Sequence, residues 1–509
     1  MRVKSSFKNM TFSIIANILT RLIGIVLQTI FIKTLGTEYL GLNGLFANVI
    51  SMLAMAELGI GSAIIFKLYK PIANNDTEEI KSLMNFYKNC YRIIAIVVSI
   101  IGLALVPCLG IFVDINSVTV DVNVYIVYLM FLFDIVVSYT LSYKRSLLYA
   151  SQENFIINIV NIITFAIFTT LQIIILICTK NYYLFLILKI LMRYSENIVI
   201  CIIVNRKYPY LKNNTNKLDK KESSEIFQKI RGLFFHQIGS FVVNGTDNIL
   251  ISKMINLVTV GLYSNYYLII NSVFIIFSQM IKSTTASVGN LLVTESTKKQ
   301  FEVFKRIRFA NFWLATFSAT SVFVVMESFI TLWVGKEYVL AKTVLLVLSI
   351  NLFQNLMRST YCAFKEAAGI FYEDRFVPLI ESISNIIFSI IFAKMFGLVG
   401  IFMGTLMSSL SLWLISYPIY VYKKIFKRSY LKYISESVSQ LIVFLIICLI
   451  THYASNIIVI GNIWLDFIFK VMISLVVSNI LMLIINIKNE NFIYYKSLLL
   501  NKIKKGEIK

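Results

Sequence analysis

Fourteen apolar runs of 19 residues or more divide this chain, at roughly 10–32, 42–66, 91–113, 122–143, 155–178, 182–205, 232–252, 259–288, 309–333, 339–357, 376–396, 398–422, 433–453 and 464–487. As a helix, each is long enough to cross roughly 30 Å of hydrocarbon. In that medium no water satisfies backbone N–H and C=O groups, so only helices and closed barrels span it. Barrel strands alternate in polarity over about ten residues, whereas these runs are continuous. The chain is therefore expected to be an all-α polytopic membrane protein. Its composition agrees: 58% of residues are hydrophobic and 15% charged, against about 45–50% and 25% in soluble domains.

Lys and Arg in the loops set the orientation. With the amino terminus in the cytoplasm, 36 of the 48 Lys and Arg fall in cytoplasmic segments. Six (Lys33, Lys180, Lys253, Lys336, Lys342 and Lys394) fall in or beside outer loops. One missed span would scramble this alternation downstream, so the pattern also supports the span count. Both termini are expected on the cytoplasmic side. The net charge of +22 is then explained by loops facing an anionic leaflet, with no nucleic-acid partner required.

The first run follows Arg2, Lys4 and Lys8, as a signal peptide would. It continues to Ile32, contains Arg21 and precedes no small-residue cleavage site, so a retained helix is expected. The six cysteines form no CxxC pair and mostly lie in apolar runs, as packing residues do. His236 and His452 are too far apart for a local metal motif. No metal or cofactor is expected. The segments 67–90 and 289–308 mix charges with apolar residues, which suits either a surface amphipathic helix or a solvated helix extension.

An offset of 220 residues relates the two halves. Lys33, Gly41 and Leu42 match Lys253, Gly261 and Leu262. In the first span Ser13, Asn17, Thr20, Gly24 and Gln28 form one stripe at helical spacing. Gln237, Ser240, Asn244 and Asn248 repeat it in the seventh, at the same offset from 17, 20, 24 and 28. Asp134 and Ser138 fall against Gln354 and Arg358. An amino-terminal six-helix lobe at 1–206, a basic cytoplasmic linker at 207–231, a second six-helix lobe at 232–424 and two further helices with a tail at 425–509 are therefore expected. Polar stripes on both lobes predict a water-filled cavity between them.

A charge at mid-bilayer costs roughly 2.5–3.5 kcal/mol on insertion scales and marks a candidate site. Arg21 could hold an anionic head group through its two-pronged fork, or pair with Glu57 or Asp134. Gln28, Asn244 and Asn248 would contribute to the same polar lining. Asp134, Asp247 and Glu57 are candidates for a coupling cation or proton, or for structural ion pairs; Glu381 could likewise take a proton. Lys189, Arg193 and Glu196 occupy i, i+4 and i+7 of one span, which predicts a self-paired, snorkelling cluster, with a basic patch in the lower cavity as the alternative. There is no P-loop, HExxH or GxSxG, and the outer loops are short, so no enzyme is expected.

The stretch 31–94, beginning FIKTLGTEYLGLNGLF, resembles the amino-terminal helices of the polysaccharide-transport, Wzx-like flippases of the multidrug/oligosaccharidyl-lipid/polysaccharide exporter superfamily. TDNILIS at 246–252 and VGLYSNYYLII at 260–270 resemble the start of that family's second lobe. The resemblance implies alternating access and a polyprenyl-diphosphate-linked oligosaccharide moved across the bacterial plasma membrane. A polysaccharide polymerase and glycosyltransferases would be further partners. It also implies that cavity arginines hold the diphosphate, a role carried to Arg21 and Arg358. The alternatives are a lipid II flippase, a cation-coupled multidrug exporter and, from another class, a membrane-embedded glycosyltransferase or polymerase.

Overall fold

The computed structural model describes residues 2–57, 60–113, 119–151, 153–211, 245–370, 373–374, 376–458 and 460–504, with isolated positions 218, 223, 224 and 226. Side chains are described from Leu19 onward, except at 55, 56, 62, 63, 66, 286, 499 and 501–504. Among the described residues there is no strand. Two compact units form, Met1–Gly261 and Leu262–Lys509.

The first unit contains α1 (Arg2–Leu35), α2 (Thr37–Leu53), α3 (Ile60–Asn74), α4 (Thr77–Ala104), α5 (Val124–Leu141), α6 (Arg145–Ala150), α7 (Asn154–Thr179), α8 (Tyr182–Lys207) and α9 (Asp247–Met254). It also holds the start of α10 (Leu257–Lys282). Helix starts carry the side-chain caps their residues predict. Asp76 accepts from the Glu79 N–H (3.0 Å), Asn123 from that of Tyr125 (3.0 Å) and Asn181 from that of Leu184 (3.1 Å).

The second expected span is not one helix. It breaks into α2, a 3₁₀ turn at Ala54–Glu57, and α3. The sequence there carries Glu57, Gly59 and Gly61, and glycine in a helix interior costs up to about 1 kcal/mol. The segment 67–90 is a solvated extension: α3 runs on to Asn74 and α4 starts at Thr77, with Ile80, Leu83, Met84 and Tyr87 buried.

The 220-residue offset recurs in the packing. A Cβ on Gly41 would lie inside van der Waals contact with the carbonyl oxygen of Leu257, and a Cβ on Gly261 with that of Thr37. Thr37 and Leu257 are themselves related by 220, so the offset exchanges the two contacts. The starts of α2 and α10 therefore cross as a reciprocal pair, each glycine admitting the other helix's backbone.

The second unit contains the rest of α10, α11 (Thr285–Thr294), α12 (Thr297–Trp333), α13 (Lys342–Ala367), α14 (Val377–Phe396), α15 (Leu398–Ser411, continuing as a π-helix over Leu412–Ile425 with Pro418 inside), α16 (Tyr430–Asn456), α17 (Ile463–Asn486) and α18 (Glu490–Lys504). At 37 residues, α12 is about 55 Å long. Its first turns absorb the segment from Thr297, again as an extension of a spanning helix. It packs against α13, α16, α17 and α18. An aromatic cluster of Phe304, Tyr361, Phe364, Tyr422, Phe426 and Tyr433 fills the space beside its amino-terminal end.

Burial is inverted relative to a soluble protein. Ile93, Ile96, Ile100, Ile383, Ile387 and Leu465 are exposed, while Asn265, Thr316, Thr320, Asn385 and Ser389 are buried. Lipid tails solvate the first set; within the second, Asn385 donates to Thr405 (3.1 Å) and Ser389 to the Ile401 carbonyl (3.0 Å). Among the described residues nine helices are long and apolar enough to cross a membrane. The spans at 182–205 and 339–357 are helical but more polar, because they carry Lys189, Arg193 and Glu196, or Asn351, Gln354 and Asn355. This is an all-α, multi-pass membrane protein.

Candidate functional site

A cavity of about 360 Å³ opens within the first unit. It is lined by the turn bearing Glu57, α3 with Gly61 and Ile65, α4 with Tyr87 and Tyr91, α5 with Ser138, the short turn after it with Ser142, α6 with Arg145, and α8 with Arg193, Glu196 and Asn197. Asp134 and Ser138 on α5 are four residues apart and share one face, and Ser142 follows four residues on, in the turn just past the end of α5.

Two arginines dominate its chemistry. The Arg193 Nε donates to the Asp134 carboxylate at 2.8 Å. Asp134 is buried, and the Arg193 side chain stays 42% exposed. Among the described residues the terminal NH₂ groups of Arg193 bond to no protein atom. The carboxylate thus orients the guanidinium while leaving both outer donors to a ligand. A fork held this way matches two oxygens of a phosphate. Arg145 donates through Nη2 to the Asn197 oxygen at 2.6 Å. The same nitrogen lies 2.9 Å from Glu196, off the line of a hydrogen bond. Asn197 in turn donates to the Ser138 carbonyl (3.2 Å).

Glu57 closes one wall. The Tyr91 hydroxyl donates to its carboxylate, and the Tyr87 hydroxyl donates to that of Tyr91 at 3.0 Å. The two rings meet edge to face, 4.6 Å between centroids, and both are buried. The result is a short hydroxyl chain ending on a carboxylate at the cavity surface.

The expected self-paired cluster on the sixth span is corrected by these contacts. Arg193 pairs with Asp134 on α5, Glu196 faces Arg145 on α6, and Lys189 sits 4.0 Å over the Phe131 ring. Helical spacing puts the three on neighbouring turns, but the ion pairs that form are with Asp134 on α5 and Arg145 on α6. Arg145 is the residue that sequence reasoning missed. In the sequence it reads as a loop cation, since it lies past the end of α5, at the start of α6.

The other sequence candidates lie as follows. Arg21 is half-buried on α1 and, among the described residues, forms no ion pair: Glu57 is bonded by Tyr91 and Asp134 by Arg193. Gln28 lies two turns further along α1, half-buried. Asn244, Gln237 and Ser240 lie outside the described residues, as do the side chains of Ser13 and Asn17. Asn248 donates to the Gly44 carbonyl (3.5 Å), and its own oxygen is buried without a partner. Asp247 is the first residue of α9. In the second unit Arg358 makes a two-pronged pair with buried Glu381, at 2.9 and 3.3 Å. Glu57 thus shares a cavity with Arg193, which also holds Asp134.

Solved structures share this fold. A lipid II flippase MurJ in an inward closed conformation superposes with a TM-score of 0.65 at 16% identity, covering 94% of this chain and 99% of that one. A MATE-family multidrug resistance transporter of the MOP superfamily, inward-facing, gives 0.59 at 13% identity over 77% and 91%. The Vibrio cholerae MATE transporter VcmN in the bent form gives 0.53 at 14% identity over 81% and 95%. Among curated proteins none matches the sequence. Residues 6–286, more than half of the chain, match the family described as polysaccharide biosynthesis protein, and the chain belongs to that family.

Proposed function

We propose that this protein is a flippase that moves polyprenyl-diphosphate-linked oligosaccharide across the bacterial plasma membrane for surface polysaccharide biosynthesis. A sugar chain needs a hydrated path, and its diphosphate needs cations along that path. The observation that carries the reading is Arg193, oriented by Asp134 with its outer donors unpaired among the described residues, beside Arg145 in a polar cavity. Family membership supplies the biosynthetic context. Arg21, Gln28, Asn244 and Asn248 extend the polar path, and Arg358 is a second candidate for the diphosphate. Glu57, Asp134 and Asp247 are the candidates for a coupling cation or proton. Both termini face the cytoplasm, and the two lobes alternate access. Glycosyltransferases supply the glycan and a polymerase consumes it outside.

The test is surface polymer in cells carrying Arg193→Ala or Arg21→Ala at wild-type membrane levels. A charge-assisted hydrogen bond is worth about 1.5–3 kcal/mol, so each variant is expected to cut export tenfold or more, with lipid-linked repeat units accumulating inside. Normal polymer in both variants would overturn the reading. The likeness to a lipid II flippase over nearly the whole chain favours a second reading. Rescue of growth in a strain depleted of its own lipid II flippase would select it.

A further inference from the structure

A second cavity, about 310 Å³, lies in the second unit where α12, α16, α17 and α18 meet. It belongs to neither the arginine site nor the Arg358–Glu381 pair. Lys305 and Arg308, one turn apart on α12, provide two positive charges, and Glu436 provides one negative. Arg308 is buried, 4% exposed. It donates to the Tyr422 hydroxyl, the Glu436 carboxylate and the Gln440 oxygen (2.7 Å for the last). Glu436 is thereby neutralised, and the Lys305 charge remains. Its nearest acid, Glu490, is 3.8 Å away and 89% exposed, so that pair is weak.

The amides lining the cavity sharpen this. The Gln440 oxygen accepts from Arg308, and the Asn489 oxygen accepts from the Asn491 backbone N–H (2.9 Å) and side chain (3.2 Å). Neither assignment can be flipped, since guanidinium and backbone N–H only donate. Gln440 and Asn489 therefore retain NH₂ donors. Asn486 and Asn491 retain amide oxygens, their nitrogens donating to the Met482 carbonyl (3.0 Å) and to Asn489 (3.2 Å). The cavity is positive and rich in donors. Its other wall is apolar, formed by Phe312, Val443 and Ile485, which lie within spanning segments. A polar, cationic end joined to an apolar wall at the mouth of a membrane helix bundle has the polarity of a lipid at the interface.

We propose that this cavity binds the phosphate headgroup of an anionic glycerophospholipid, with Lys305, Gln440 and Asn489 on the phosphate oxygens and the first chain carbons against Phe312, Val443 and Ile485. The bound lipid would tie α16–α18 to α12.

The test is native mass spectrometry and thermal unfolding of the purified full chain with phosphatidylglycerol, with phosphatidylcholine, and with inorganic phosphate. Phosphatidylglycerol is expected to bind and raise the Tm, phosphatidylcholine to do neither, and millimolar phosphate to give little of the shift. Lys305→Gln, a partly exposed position, should weaken phosphatidylglycerol binding about fivefold, the weight of one basic residue at an anionic surface. Lys298→Gln, exposed on the same helix outside the cavity, should leave binding unchanged. The lipid-free Tm of each variant reports whether it folds. If K305Q destabilises the lipid-free protein, Asn489→Leu in its place must lose the same affinity. Equal shifts with both lipids, full reproduction of the effect by inorganic phosphate, or loss of affinity in K298Q to the same extent as in K305Q, would overturn the assignment.

Discussion

The exchanged contacts at Gly41 and Gly261 make a quantitative prediction about folding. In Gly41→Ala the new methyl meets the Leu257 carbonyl; in Gly261→Ala it meets that of Thr37. Both obstacles are backbone and cannot rotate away. Restoring carbon contacts of about 3.5 Å requires the two helices to separate by on the order of 1 Å. Overpacking of this kind costs up to about 3 kcal/mol, and the alanine recovers about 1 kcal/mol of helix propensity. Each single variant should therefore lose about 2 kcal/mol. If the two contacts are one symmetric crossing, a single separation relieves both. The double variant then bears the packing cost once and recovers propensity twice, for a net loss of about 1 kcal/mol. Independent contacts would add to about 4 kcal/mol. Gly24, with nothing among the described residues within 4 Å of its Cβ position, serves as the control, and Gly24→Ala should be neutral or slightly stabilising. Unfolding of the purified chain and its variants in mild detergent measures all four. A double variant as unstable as the sum of the singles would refute the reciprocal crossing, and unequal single variants would refute its symmetry.

Two further perturbations test charges elsewhere. Arg358→Leu leaves Glu381, 1% exposed, as an unpaired buried acid, and should cost about 3–5 kcal/mol. The double replacement R358L/E381L should recover most of that in the same unfolding assay, and no recovery would mean the pair is not the reason for the loss. Between α13 and α14, a hydrogen bond from Lys424 holds the exposed Glu373 carboxyl below the ordinary carboxylate range. Its contribution should be present above that range and lost as the pH falls through the depressed value. Lys424→Met should remove this acid-side dependence, seen as coincident pH profiles for K424M and K424M/E373Q.

What the sequence made legible follows from the solvent each segment meets. Hydropathy and loop charge report on lipid and water, and these located the helices and most of their ends. Both extensions, α4 from Thr77 and α12 from Thr297, were open between two readings, because a helix that leaves the bilayer keeps an amphipathic pattern whether it lies flat or continues. The turn at Ala54–Glu57 is hidden in the sequence because the residues around it are still apolar enough to read as one span; only Glu57, Gly59 and Gly61 hint at it.

The site was less legible, for a different reason. Spacing along a helix shows which side chains share a face, but not what that face meets. Lys189, Arg193 and Glu196 satisfied one another on paper. In the structure α5 supplies Asp134 and α6 supplies Arg145, and these, rather than neighbours on the same helix, come within ion-pair distance of Arg193 and Glu196. Arg145 was placed in the cytoplasm by the same census that oriented the chain, because a cation at a helix end counts as loop charge wherever its side chain points. Orientation depends on the backbone position of a charge, while binding depends on where its guanidinium sits. A cation at the end of a span can therefore count toward orientation and still reach a cavity, and Arg145 and Lys305 both occupy such ends.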